Sequence, residues 1–146
     1  MKVKDILKNK KRDLITVEAS TNVLTAMELL IKNKISCLPV LGYSNQLVGI
    51  ISDKDIFHAF YENQENFSSF TVGNLMTTDL LIGLIEDDID YIGGVMTENK
   101  VRHIPIVEKD KLIGLVSQGD VVKAEIKRMQ IENRYLKLYM EGNYPE

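Results

Sequence analysis

A serine set where a strand gives way to a helix is the residue in this chain best able to hold a phosphate, and the sequence places one there twice. The pattern glycine, two aliphatics, serine, two variable residues and aspartate runs from Gly49 to Asp55 and again from Gly114 to Asp120. Ser52 and Ser117 would each stand beside free backbone N–H groups and the positive end of a helix dipole, a combination that favours an anion. Asp55 and Asp120, one turn later, can each accept two hydrogen bonds, as the vicinal hydroxyls of a ribose would offer. Phosphate and sugar held side by side describe a nucleotide. The same spacing also makes a capping box, in which serine and acid satisfy only backbone donors. Gly49 and Gly114 fit either reading, because a missing Cβ also permits close packing at a strand end.

The elements that position these residues are themselves duplicated. LVGIISDKDI (47–56) returns as LIGLVSQGDV (112–121), with Leu47/Leu112, Gly49/Gly114, Ser52/Ser117 and Asp55/Asp120 identical. Upstream, NKISCLPV (33–40) returns as NKVRHIPI (99–106), and the spacing between the blocks is one residue shorter in the second copy, as a variable hairpin turn allows. In the first copy Leu14–Val17 reads as a strand, and Ser20 or Thr21 as the cap of a helix carrying Val23, Leu24, Met27, Leu30 and Ile31. Cys37–Leu41 and Leu47–Ile51 form a hairpin turning at Gly42–Asn45, and a helix runs from Asp53 to about Tyr61. The polar stretch 62–69 links the halves. The second copy supplies Leu80–Leu84, a helix from about Ile89 to Glu98, strands His103–Val107 and Leu112–Val116, and a helix from Gln118 to about Met140.

This order specifies an α+β protein. Two β-α-β-β-α repeats pack with pseudo-twofold symmetry, their three-stranded sheets flanked by helices, and an extra helix follows. The repeats fall at 1–66 and 67–125, with a C-terminal helical extension at 126–146. One such repeat is too small to be comfortable alone, whereas two packed face to face bury both sheets and leave a cleft at each end of the axis.

Composition narrows the class. In 146 residues, 18 basic and 21 acidic side chains leave a net charge of −3, which argues against a broadly basic nucleic-acid surface. The single cysteine, Cys37, cannot make an internal disulfide, and its apolar neighbours make a buried inert thiol the default. With His58 and His103 far apart, no metal spacing appears. No apolar stretch approaches the length of a membrane span, and no apolar signal region follows the lysine-rich start, so a cytoplasmic protein is expected. No Walker loop or nucleophile elbow is present, so no reaction is expected.

The paired motifs, each preceded by a strand containing proline (LPV, IPI), resemble a tandem pair of CBS domains, also called a Bateman module. The lead-ins Val3–Leu7 and Val72–Thr77 add to the resemblance, which covers about residues 1–125. It implies a regulatory module that binds AMP, ADP, ATP or S-adenosylmethionine, requires no other cofactor, signals to an unidentified partner and forms a homodimer. It further implies two unequal clefts. The first would use Ser117 for phosphate and Asp120 for ribose, with Arg102 and His103 as basic phosphate contacts. Thr16 would meet adenine there, and Ala19, Ser36 and Cys37 would line the wall. The second would use Ser52 and Asp55, but the residue aligned with Thr16 is Ile82, which has no hydroxyl, and Ser36 and Cys37 stand where the first cleft has its cations. Only Lys54 offers charge there, so the first cleft is expected to be the better one. Lys8, Lys10, Lys11 and Arg12 read as a solvated loop. The rival readings are an interaction module with empty clefts and, less well supported, a nucleotide-processing enzyme.

Overall fold

The computed structural model describes residues 1–10 and 13–142. Helix α1 (Val3–Asn9) is followed by β1 (Val17–Glu18), α2 (Val23–Asn33), β2 (Cys37–Leu41), β3 (Leu47–Ser52) and α3 (Asp53–Glu62). Then come α4 (Val72–Leu75), α5 (Ile89–Asn99), β4 (His103–Glu108), β5 (Lys111–Ser117) and α6 (Gln118–Met140). The first sheet has the order β1-β2-β3, with β1 parallel to β2 and β2 antiparallel to β3; the second pairs β4 with β5 antiparallel.

The repeat is reproduced in backbone detail. Both hairpins carry a register shift at the same point, between Val40 and Leu41 and between Ile106 and Val107. Helices α2 and α5 both end on a lysine in the left-handed region, Lys34 at φ 54° and Lys100 at φ 55°. The turns account for the difference in spacing. The first passes through a short 3-10 turn, Tyr43–Asn45, whereas the second has only Lys109 and Asp110 between its strands, both at positive φ as a tight hairpin turn demands.

The first strand of each copy is shorter than the sequence pattern predicts. Leu14–Val17 contributes only Val17 to a ladder, joined by Glu18, and Leu80–Leu84 contributes a single bridge, Gly83 to Ile106. The register gives the reason. Val17 lies opposite Val40 and Gly83 opposite Ile106, which puts Thr16 level with Pro39 and Ile82 level with Pro105. Proline has no N–H to donate, so pairing stops there. The cap of α2 also moves: Asn22, not Ser20 or Thr21, accepts from the Leu24 N–H at 2.8 Å, because the chain is still turning at Thr21, whose N–H donates to the Glu18 carbonyl.

Two apolar cores form, and they exchange their lead-ins. Val3 on α1 is fully buried with Ile89, Ile92, Met96, Ile104, Ile106 and Val116 of the second repeat. Val72 on α4 is fully buried with Val23, Leu38, Val40 and Ile51 of the first. The anchors match: the Val3 N–H donates to the Asp87 carbonyl at 2.9 Å, and the Val72 N–H to the Thr21 carbonyl at 2.8 Å. Each lead-in helix then lays an apolar side chain over the motif glycine of the repeat it joins, Leu7 on Gly114 and Met76 on Gly49. A Cβ at either glycine would lie 2.6 Å from that side chain. Close packing, the plainer of the two readings of these glycines, is therefore realised.

Candidate functional site

Both serine–aspartate pairs form complete capping boxes. Ser117 Oγ accepts from the Asp120 N–H at 3.1 Å, and Asp120 Oδ2 accepts from the Ser117 N–H at 2.8 Å. Ser52 and Asp55 make the same bonds at 3.2 and 2.9 Å. The helices α6 and α3 are thus started by the very residues that would bind a nucleotide. Capping uses one carboxylate oxygen of each aspartate and leaves the serine hydroxyl hydrogen free to donate, so it does not exclude a ligand.

The sheets bring the other candidates to these junctions. His103 is paired with Ser117 across the β4–β5 ladder, and the Arg102 carbonyl accepts from the Gln118 N–H at 2.8 Å. Cys37 is paired with Ser52, and the Ser36 carbonyl accepts from the Asp53 N–H at 2.9 Å. The two junctions then meet, with Ser36 Oγ 3.4 Å from His103 Nε2. Arg102 does not turn toward Asp120. Its Nη2 donates to Asp53 Oδ1 at 2.6 Å, so its charge lies against the N-terminus of α3 in the first repeat's motif. The sequence groups Arg102 with His103 in one cleft; Arg102 lies just before β4, and the two side chains meet adjacent points of the other repeat, Asp53 and Ser36, whose backbones are joined by the Asp53 N–H to Ser36 carbonyl bond.

Thr16 is half-buried at the end of the β1 ladder, with no hydrogen bond from its hydroxyl to a described residue, and the Ala19 carbonyl accepts from the Gly73 N–H of α4 at 2.8 Å. At the second junction Ile82 is half exposed, and Lys54 is exposed with its N–H donating to Asp53 Oδ1.

Three participants were not picked out from sequence. Asp53 holds Arg102. Thr77, just after α4, has its hydroxyl 3.4 Å from Asp55 Oδ1. Lys10, just after α1, places Nζ 2.8 Å from Asp120 Oδ2 and donates to the Leu115 carbonyl. Lys10 remains exposed, as a solvated residue would be, but its ammonium group is paired. The lead-in exchange is what delivers both: a segment leaving Gly114 must pass Asp120, and one leaving Gly49 must pass Asp55.

Electrostatics follow from this packing. Burial alone would push the Asp120 carboxyl up, but hydrogen bonds from Lys10 and the Ser117 N–H, together with the lysine charge, hold it below the usual carboxylate value. Burial, then the positive charges of Arg102 and Lys10, hold His103 below the ordinary imidazole value, so its ring is neutral at pH 7. Cys37 is pushed up to about 12, chiefly by burial. No group of three histidine, cysteine or acidic side chains among the described residues could hold a metal, and none of their helices is long and apolar enough to cross a membrane.

The CBS domain family model matches residues 3–62 and 72–127. The chain is 31% identical to CBSX1, a chloroplastic CBS domain-containing protein of Arabidopsis thaliana, over 82% of this chain and 63% of that protein. It therefore spans less than two thirds of that relative's length. Among solved structures, CBSX2 from the same plant, in complex with AMP, superposes with a TM-score of 0.76 at 33% identity, covering 88% of this chain and 98% of the other. The CBS domain pair of protein MJ0100, in complex with 5′-methylthioadenosine and S-adenosyl-L-methionine, gives 0.77 at 26% identity with the same coverage.

Proposed function

Because the chain belongs to the CBS-domain family, matched in both of its repeats, we propose that it is a regulatory module whose first cleft binds an adenosine-containing ligand and signals to a partner. The supporting observation is the junction at Ser117 and Asp120, where Ser36 of the other repeat reaches His103 across 3.4 Å. A ligand seated there would touch both repeats, so its binding energy could favour one relative orientation over another, provided the two orientations bind it differently. Thr16, Ala19 and Cys37 complete the proposed wall. Ser52, Asp55, Lys54 and Ile82 form a second, poorer cleft. The repeats are taken as 1–66 and 67–125 with an extension at 126–146, and the module as a cytoplasmic homodimer. It carries out no reaction on this reading: its serine and aspartate serve to bind.

The completed capping boxes favour one competing reading, an interaction module with empty clefts. Asp120→Ala separates the two. Asp120→Ala loses half a capping box and the Lys10 ion pair, and so lowers the stability of the ligand-free protein, under either reading. Only the ligand reading predicts more. A ligand at a hundred times its dissociation constant adds about 2.7 kcal/mol, or roughly 5–11 °C in melting temperature. That shift, produced by AMP, ADP, ATP or S-adenosylmethionine but not by a guanine nucleotide, should appear in the wild type and vanish in Asp120→Ala. A flat panel on folded protein would leave the empty module.

A further inference from the structure

The two aspartates differ in what the lead-in brings to them. Asp55 receives a neutral hydroxyl, Thr77 at 3.4 Å. Asp120 receives an ammonium group, Lys10 at 2.8 Å, which also donates to the Leu115 carbonyl. The fold does not require a cation on the motif aspartate itself, since Asp55 is met by the Thr77 hydroxyl and the nearby Arg102 charge goes to Asp53. Nor is Lys10 a loose surface side chain: its backbone caps α1, whose Val3 is fully buried and whose Leu7 lies over Gly114. The carboxylate is the sheltered partner, its side chain 14% exposed against 32% for that of Lys10.

We infer that Lys10 makes the first cleft selective for an anionic 5′ group, so that it takes adenosine 5′-phosphates in preference to adenosine itself or to S-adenosylmethionine. The inference rests on the reading of that cleft as an adenosine site and names the ligand class within it. A ribose that bonds to the Asp120 carboxylate must share it with the ammonium group or displace it. A displaced lysine in a half-buried cleft needs another anion. A 5′-phosphate supplies one within a side chain's reach of the sugar hydroxyls, and the ion pair lost at Asp120 is remade at the ligand. Adenosine supplies none. S-adenosylmethionine puts a sulfonium where the phosphate would be, and its one anion, the carboxylate, lies three carbons beyond that sulfur, next to an ammonium group. Arg102 is already engaged by Asp53 of the other repeat, which leaves Lys10 as the cation on Asp120 itself.

The test is isothermal titration of AMP, adenosine and S-adenosylmethionine into the wild type, Lys10→Met and Lys10→Arg, each first shown to be folded by its thermal melt. The wild type should bind AMP at least tenfold more tightly than the other two. Lys10→Met should weaken AMP by about tenfold and leave adenosine unchanged or tighter, since its competitor for Asp120 is gone. Lys10→Arg should keep the preference. An equal loss for all three ligands in Lys10→Met would assign the lysine a merely structural role and overturn the inference, as would an unchanged ratio. If the wild type binds adenosine or S-adenosylmethionine as tightly as AMP, and Asp120→Ala abolishes that binding, the cleft stands and the role of Lys10 falls. If none of the three binds, the reading of the cleft fails and the inference with it.

Discussion

Gly114→Ala tests whether α1 is seated on the second repeat through the gap at the motif glycine. The added Cβ would lie 2.6 and 2.8 Å from the two methyl carbons of Leu7, where ordinary contact is 3.4–4 Å. Gly114 is buried within β5, so the strand cannot retreat, and Leu7 is itself packed against the second core. Over-packing of this kind costs about 1–3 kcal/mol. At 2 kcal/mol, melting should fall by roughly 4–8 °C for a chain of this length. The clash involves one side chain, which makes a double-mutant cycle informative. Leu7→Ala alone should cost about 1–2 kcal/mol in lost burial, but on top of Gly114→Ala it removes the obstruction. The pair should be coupled by about 1 kcal/mol or more, with the double variant more stable than the sum of the singles predicts. Urea unfolding of all four proteins gives the cycle, with unchanged m-values as the check that the same surface unfolds. Additivity within about 0.3 kcal/mol, or a Gly114→Ala cost below about 0.5 kcal/mol, would show that the glycine is not there for Leu7.

His103 is held below the ordinary value of 6.5, so between that pH and its lower folded value the unfolded chain binds more protons. Its contribution to stability should therefore be fully present above pH 6.5 and lost as pH falls through that window; His103→Gln should flatten the melting temperature there, and an unaltered profile would contradict the burial argument. Cys37 is 3% exposed with its thiol pushed up to about 12, so it should resist a thiol reagent in native protein at pH 8 and take up one equivalent in urea; rapid native labelling would contradict its placement.

Much of the fold is legible because repetition and periodicity are local properties. The duplicated blocks predict two hairpins with a shorter second turn, and Gln118–Met140 forms the helix its apolar spacing specifies. The capping-box reading of Ser52–Asp55 and Ser117–Asp120 needs only four consecutive residues, and it holds in both places. The edge strands are over-read for a nonlocal reason. Their length depends on the register against Pro39 and Pro105, and apolar content cannot show that register.

What the sequence alone determined is the repeat, its order of elements and the residue types gathered at the two junctions, because each follows from spacing within a few turns of chain. Tertiary structure decided which partner each charge meets. Lys10 reaches Asp120, 110 positions further on, because α1 packs into the second core and Leu7 needs the gap at Gly114. Arg102 meets Asp53 because the start of α3 in the other repeat places a carboxylate within its reach. Those contacts arise from how the two copies face each other, and no local pattern encodes that arrangement.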